Sequence, residues 1–182
     1  MSVMKSKSLL FFIILILAGW VIISASKTSD NHKHHYQYAH DSSLSPSDSV
    51  EKVRKTEDEW RKILTEKEFY ILRENGTERA FSNEFFDLKE KGTYVCAGCG
   101  NPVYSSETKF KSGTGWPSFY KPIRPNAVDT EKDRSFGMVR TEVHCNRCDG
   151  HLGHIFKDGP EPTGLRHCIN SAALDFIPAD KK

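Results

Sequence analysis

The feature that most constrains the fold is a pair of Cys-x-x-Cys motifs separated by 45 residues. The first motif contains Cys96 and Cys99, and the second contains Cys145 and Cys148. Two such motifs bring four sulfurs to one point, which is the ligand set of a tetrahedral structural Zn²⁺. The separation exceeds that of a compact zinc ribbon, so we expect the metal to link two distant layers of a β-rich fold. Two disulfides are the alternative if the chain enters an oxidising compartment.

Short strand-like runs and turn signals fill most of the chain, without an internal repeat or a long helical period. Strands are expected at residues 93–95, 138–143 and 166–170, the last of these being the final strand, with residues 174–177 closing the core. This pattern predicts a mainly β fold class.

A short helix is expected before the first Cys-x-x-Cys motif. Thr65 and Glu68 form a capping-box pattern, which predicts a helix that starts there and continues through Leu72. The helix should end before Asn75, where Asn-Gly-Thr predicts a turn and, in a chain that enters the endoplasmic reticulum, a glycosylation site.

Composition divides the chain into three regions. Residues 1–26 contain two lysines and then an apolar run over 9–23, which is typical of a cleaved secretory signal peptide or a short N-terminal membrane anchor. Residues 27–56 are rich in Ser, His and Asp, as in a disordered linker. Residues 57–182 have a globular composition. Both interpretations of the first region predict that the protein is located in the endoplasmic reticulum lumen or outside the cell. Membrane contact is expected only through residues 9–23, and only if these are not cleaved.

Overall charge excludes the strongly basic classes of protein. Beyond residue 26 the chain carries 24 basic and 24 acidic residues. This balance indicates neither a nucleic-acid partner nor an anionic membrane surface.

One cysteine, Cys168, is left over from the two motifs. It follows Arg166 and His167, and His151 and His154 precede it at a short distance in the sequence. A lone cysteine is commonly a small buried hydrophobe, but cationic or hydrogen-bonding neighbours lower the pKa of a thiol and make it a nucleophile. The two preceding histidines are also potential metal ligands, although they would compete with four thiolates that already fill a tetrahedron.

Trp116 lies in the segment SGTGWPSF, residues 112–119. A tryptophan is commonly a core residue, whereas alternating glycines before Trp-Pro suit an indole held at a surface. Both interpretations remain open from the residues alone.

Five motifs in one order resemble the methionine-R-sulfoxide reductases (B-type) over residues 58–178. They are GTERAFS, CAGCG, SGTGWPSF, CNRCDGHLGHIFKDGP and PTGLRHCINSAALDF. The resemblance implies a sandwich-like single domain of two antiparallel sheets with a structural zinc. It also implies the thiol-dependent reduction of methionine-R-sulfoxide, protein-bound or free, as a repair of oxidised proteins.

The resemblance assigns roles to residues around Cys168. Cys168 matches the nucleophile that attacks the sulfoxide sulfur and becomes a sulfenic acid. His154 matches the residue that helps to protonate the sulfoxide oxygen, and His151 and Asn170 match residues that position the substrate. Arg166 is expected to assist thiolate formation.

Three aromatic residues are assigned to the substrate pocket in the same way. Trp116 matches the indole that receives the substrate's methyl group, and Phe119 and Phe156 are expected to help line that pocket.

The chain departs from many members of this family at Thr114, where they carry a second, resolving cysteine. All other cysteines belong to the Cys-x-x-Cys motifs. We therefore expect a one-cysteine enzyme whose sulfenic acid is reduced by an external thiol: thioredoxin, glutaredoxin or a small thiol. A zinc-stapled binding module without catalysis and a Cys-His hydrolase are the alternative classes.

Overall fold

A computed structural model describes residues 50–179, which all lie within one compact unit. The predicted targeting segment, residues 1–26, and residues 27–49 of the predicted linker lie outside the described residues. Within the described range, no helix is long and apolar enough to cross a membrane.

Two short helices open the described domain, and each begins with a reciprocal capping box. Helix α1 is Glu57–Ile63 and helix α2 is Glu66–Glu74. The side chains of Thr56 and Thr65 accept the backbone N–H of the third helical residue, which is a glutamate in both helices. The carboxylate of that glutamate accepts the backbone N–H of the threonine in return. The predicted cap at Thr65 and the predicted turn at Asn75 are confirmed, since Asn75 has a left-handed φ of 55°. The capping box of α1 was not predicted.

The strands of the described residues form two antiparallel sheets, as expected from the resemblance. In chain order they are β1 (Gly92–Cys96), β2 (Pro102–Ser105), β3 (Lys109–Phe110), β4 (Ser118–Phe119), β5 (Val128–Asp133), β6 (Arg140–Cys145), β7 (His151–Phe156), β8 (Arg166–Ile169) and β9 (Leu174–Pro178). One sheet has the order β2-β1-β9, and the other has the order β3-β4-β8-β7-β6-β5.

Two details of the expected strands are corrected. The run expected from residue 138 becomes a strand only at Arg140, because residues 135–137 form a short 3₁₀ turn before it. The expected final strand, β8, is followed by β9, which pairs along the whole length of β1 from Gly92 to Cys96. The C-terminal segment therefore completes the smaller sheet as well as covering the core.

Aromatic rings from both sheets form the centre of the core. Tyr104 of the smaller sheet stacks on Phe119 of the larger one at 4.4 Å between ring centroids, and Tyr94 meets the same ring edge-on at 5.0 Å. Phe119 is directly paired with His167 of β8. Since paired residues present their side chains to the same face of a sheet, this face of β8 packs on the core and Cys168 faces the other side.

Candidate active site

The four cysteines of the two motifs form one buried cluster. Their sulfurs all lie within 4.8 Å of one another. The distances Cys96–Cys148 and Cys99–Cys145 are both 3.6 Å between Sγ atoms. A disulfide requires about 2.05 Å, whereas Zn–S bonds of about 2.3 Å give tetrahedral S–S edges of about 3.8 Å. The cluster therefore fits one tetrahedrally coordinated metal ion.

Local backbone geometry gathers these sulfurs. Cys96 ends β1 and Cys145 ends β6, and each motif folds back through a tight turn. Gly100 closes the first turn with a left-handed φ of 70°, and Asp149 closes the second at 56°. Hydrogen bonds exchanged among the thiols, chiefly with Cys145, raise the pKa of Cys96 well above its ordinary value. A cation between the sulfurs would let all four ionise.

A row of polar side chains crosses the larger sheet on the face opposite the core. Cys168 of β8 is directly paired with Ser118 of β4 on one side and with His154 of β7 on the other. His154 is in turn paired with Glu142 of β6. Strand register therefore places the thiol beside an imidazole, although the two residues are 14 positions apart in the sequence.

A β-bulge brings His151 onto the same face as His154. Residues three positions apart point to opposite faces of a regular strand. Here the register between β6 and β7 shifts by one residue, so that His144 pairs with His151. The two rings consequently lie 5.4 Å apart between centroids, and a bulge of this kind is a common way to re-aim a side chain near a functional site.

A buried carboxylate orients His151. Its Nδ1–H donates to Glu142 Oε1 at 2.6 Å, and the ring is only 2% exposed. Burial lowers the pKa of His151, although its hydrogen bond to Glu142 opposes the shift. The other ring nitrogen, Nε2, is buried and has no hydrogen-bond partner among the described residues. A buried nitrogen without a partner is suited to bind a polar atom of a ligand or water.

His154 is held by a second carboxylate. Its Nε2–H donates to Asp133 Oδ2 at 2.9 Å, and Arg140 donates to the same oxygen through Nε at 3.0 Å. Hydrogen bonds from Ser135, followed by the one from His154, lower the pKa of Asp133 far below its ordinary value. Asp133 is thus ionised and fixes the ring plane of His154.

Two opposing effects act on the Cys168 thiol. Burial raises its pKa, while the charge of Arg166 and a hydrogen bond from Thr114 lower it, and burial is the larger effect. Arg166 is itself oriented by two hydrogen bonds of 2.9 Å to Asp158 and lies 4.4 Å above the ring of Phe156. The charge of Arg166 therefore favours ionisation of Cys168, but the net shift of the pKa is upward.

His167 does not belong to this cluster, although it is adjacent to Cys168 in sequence. It lies on the core face, 4% exposed, and its Nδ1 is 3.1 Å from the hydroxyl of Tyr104. Burial lowers its pKa to about 4, so it is neutral at physiological pH and supplies no cation to the thiol. The sequence-based expectation that it would help to ionise Cys168 is wrong, because alternate residues of a strand face opposite sides.

The predicted aromatic residues are divided between the two faces of the sheet. Phe119 is fully buried in the core, so the structure contradicts its expected place in the substrate pocket. Phe156 lies two residues after His154 on β7 and is on the same face as Cys168. Trp116 is half-buried, and its indole N–H donates to the backbone carbonyl of Glu78 at 3.2 Å.

Asn170 is buried immediately after β8. Its side-chain amide donates to the carbonyl of Leu152 at 3.1 Å and accepts the backbone N–H of Glu78 at 3.2 Å. It therefore joins β7 to the segment that carries Glu78.

Sequence reasoning missed three acidic residues of this region, Glu78, Asp133 and Glu142. Buried acidic side chains are rare unless paired, but no local spacing pattern identifies their partners.

Comparison with known proteins gives matches along most of the described domain. Residues 64–178 match the sequence model of the family described as the SelR domain. A protein named peptide methionine sulfoxide reductase MsrB from Leptospira interrogans serogroup Icterohaemorrhagiae serovar Lai (strain 56601) is 56% identical over 124 residues, which are 68% of this chain and 95% of that protein.

Two further relatives carry the same name. The protein from Thiobacillus denitrificans (strain ATCC 25259 / T1) is 56% identical over 126 residues, 69% of this chain and 96% of its own length. The protein from Methanosarcina barkeri (strain Fusaro / DSM 804) is 55% identical over 124 residues, 68% of this chain and 87% of its own length.

Proposed function

The chain belongs to the SelR domain family, and we propose that Cys168 is the thiol with which it reduces methionine-R-sulfoxide to methionine. The relatives are peptide methionine sulfoxide reductases, so the chain is an enzyme, and the alternatives of a binding module and a hydrolase are not retained. The observation that carries the proposal is the direct pairing of Cys168 with His154 across β7 and β8.

The proposed chemistry transfers one oxygen atom. The Cys168 thiolate attacks the sulfoxide sulfur while His154 supplies a proton to the sulfoxide oxygen. The substrate's S–O bond breaks, methionine leaves, and the oxygen remains on Cys168 as a sulfenic acid. The substrate sulfur is reduced by two electrons and the cysteine sulfur is oxidised by two.

Neighbouring side chains would prepare this step. Asp133 and Glu142 hold the two imidazoles, and the unpartnered Nε2 of His151 can hydrogen-bond to the substrate oxygen or to a water beside it. Trp116, with Phe156 on the same face of the sheet as Cys168, offers an apolar surface to the substrate's methyl group. Asn170 contributes by fixing the segment of Glu78.

We further propose that reduction of the sulfenic acid depends on an external thiol. Thr114, whose side chain lowers the pKa of the Cys168 thiol, cannot act as a resolving thiol, and the remaining four cysteines form the buried cluster. Two molecules of an external thiol would convert the sulfenic acid to a thiol, releasing one disulfide and one water. Oxidised proteins are the substrates that the family implies. Thioredoxin, glutaredoxin and small thiols are the candidate reductants.

The four-cysteine cluster is proposed to hold zinc. Its ligand set, burial and sulfur spacing support this ion. With four thiolate ligands the ion would have no open position, so its contribution would be to stability.

The address of the enzyme is proposed to be secretory or membrane-anchored through the N-terminal segment. The support is the apolar run of residues 9–23 after two lysines. Microscopy of the full chain with a C-terminal tag tests this, and a diffuse cytosolic signal would contradict it.

Replacement of the thiol tests the proposed nucleophile. Cys168→Ser should abolish reduction of the R-sulfoxide of a blocked methionine with dithiothreitol, because a hydroxyl is a far weaker nucleophile than a thiolate. Metal content and circular dichroism should match those of the wild type. A Cys168→Ser protein that still turns over would refute the role of Cys168.

A second variant tests the one-cysteine scheme. In Thr114→Cys, the new thiol should attack the sulfenic acid and form a disulfide with Cys168, releasing water. After one turnover without reductant, mass spectrometry should detect this disulfide, whereas wild-type protein should instead be trapped by dimedone as a sulfenic acid. Failure of the wild type to react with dimedone would contradict the scheme.

A further inference from the structure

Glu78 is a charged residue in a buried position between α2 and the first strand. Its side chain is 1% exposed. Carboxylates are seldom buried this completely unless hydrogen bonds and charges satisfy them. The contacts of Glu78 therefore indicate what its burial accomplishes.

The carboxylate binds the segment that follows β8. Oε1 accepts the backbone N–H of Ser171 at 2.5 Å, and Oε2 accepts that of Ala172 at 3.3 Å. Lys67 of α2 approaches Oε2 at 3.2 Å, with its own side chain 55% exposed. Bonds from backbone N–H groups to a carboxylate are charge-assisted and short, so they fix the main chain at residue 78 against that at residues 171–172.

The main chain of the same residue contacts two members of the proposed substrate site. Its N–H donates to Oδ1 of Asn170 at 3.2 Å, and its carbonyl accepts the indole N–H of Trp116 at 3.2 Å. Trp116 and Asn170 come from different parts of the larger sheet region, and Glu78 is a common partner of both. The position of the indole therefore depends on where the carboxylate holds the backbone of residue 78.

We propose that Glu78 is a positioning residue for the substrate: its buried carboxylate locks its own peptide groups in place, and these orient the Trp116 indole and the Asn170 amide. The proposal rests on the proposed function of that site. Glu78 does not touch Cys168 or the histidines in any described contact, so its effect should fall on substrate binding. Displacing a positioning group by about 1 Å can reduce the rate about a hundredfold, and the loss here should be mainly in KM.

Two variants weaken the lock by different amounts. Glu78→Gln keeps the shape of the side chain and one acceptor oxygen, but its NH₂ group then meets one of the two backbone N–H donors and cannot accept from it. Glu78→Ala removes both acceptors. With dithiothreitol at saturation and the R-sulfoxide of a blocked methionine, KM should rise about tenfold in Glu78→Ala. It should rise less in Glu78→Gln, and kcat should stay within about threefold of the wild type in both. The rate at which iodoacetamide alkylates Cys168 should be unchanged.

Glu68→Ala is the matched control for stability. Glu68 also binds a backbone N–H through its carboxylate, at 2.7 Å to Thr65, and its hydrogen bonds within the described residues are to Thr65 and not to the proposed site. This variant should lower the thermal midpoint and leave KM within about twofold. If Glu78→Gln lowers the midpoint without raising KM above that of Glu68→Ala, Glu78 is only a structural cap and the proposal is overturned.

A double-mutant cycle with Trp116→Phe tests the route of the effect. Phenylalanine has no N–H to donate, so the Glu78→Gln change should raise KM much less in this background than in the wild type. Equal fold-changes in both backgrounds would overturn the proposal. The two proposals can fail separately. If Cys168→Ser is inactive but Glu78→Gln has an unchanged KM, the proposed nucleophile stands and only the role of Glu78 is rejected.

Discussion

Consecutive residues of β8 have opposite environments, and this contrast determines which of them can react. Cys168 faces Thr114 and Arg166, both of which lower the pKa of its thiol, while its partial burial raises it. His167 faces the aromatic core, where burial keeps it neutral. Among the described residues, the Arg166 guanidinium is therefore the positive charge that lowers the pKa of the Cys168 thiol, whereas His167 lies in the core.

The first prediction concerns the thiolate. In Arg166→Met the positive charge is lost, so the pKa of Cys168 should rise further and its alkylation by iodoacetamide should require a higher pH than in the wild type. At pH 8 the alkylation rate of Cys168, followed by mass spectrometry, should fall several-fold. Arg61→Met, which removes an arginine from α1, is the control and should not change the profile. An unchanged profile in Arg166→Met would contradict the assignment.

The second prediction concerns His167 and acid stability. Its pKa is about 4 in the folded protein against 6.5 for an ordinary histidine, so the unfolded chain binds the proton first as the pH falls. Stability is therefore fully present above pH 6.5 and is lost between pH 6.5 and pH 4, by about 3 kcal/mol in total. His167→Gln should lack this component, and urea unfolding across that pH range measures it. Equal pH slopes for the two proteins would contradict the prediction.

At the level of elements, the strand pair β7–β8 brings the proposed catalytic groups together. The bulge in β7 places His151 and His154 on one face, and Gly153 lies between the two histidines against the backbone of β8. A Cβ at Gly153 would lie 2.0 Å from the carbonyl oxygen of Cys168. The close approach of these strands therefore requires glycine.

The third prediction follows from this approach. Gly153→Ala should destabilise the protein by about 3 kcal/mol, because backbone atoms cannot move aside as a flexible side chain can. It should also reduce kcat, since β7 and β8 separate where His154 meets Cys168. Gly164→Ala, at a left-handed residue with nothing near its Cβ, should cost only about 1 kcal/mol and leave kcat unchanged. Denaturant unfolding and steady-state rates measure both, and equal losses in the two variants would contradict the steric argument.

The sequence predicted those features whose determinants are adjacent in the chain. The capping box of Thr65 and the clustering of the four cysteines are examples, because the partners lie within four residues or in a repeated motif. Phe119 was assigned to the wrong face, because its neighbour Ser118, and not Phe119 itself, pairs with Cys168. Glu78 and Asp133 had no local signal for their place at the site, since the residues that connect them to it, Asn170 and His154, come from distant segments that meet only in the folded protein.

At the scale of the whole molecule, the cysteine cluster connects the two sheets. Cys96 ends a strand of the smaller sheet and Cys145 ends a strand of the larger one. Backbone carbonyls around the cluster are also tied down, since Arg147 donates to that of Cys99 at 3.0 Å and Arg73 of α2 donates to that of Cys148 at 2.9 Å. The cluster thus joins both sheets and the second helix at one point.

The fourth prediction separates these two sets of thiols. Cys99→Ser should lose the metal. Structural zinc sites contribute about 10 kcal/mol or more, whereas the net stability of a domain is about 5–15 kcal/mol. The variant should therefore be largely unfolded at 37 °C. Elemental analysis should give close to one zinc per chain for the wild type and for Cys168→Ser, and near zero for Cys99→Ser. Circular dichroism should follow the same division, with Cys168→Ser folded and inactive. A folded Cys99→Ser protein that retains a full equivalent of zinc would show that the four sulfurs are not the ligand set and that another element joins the sheets.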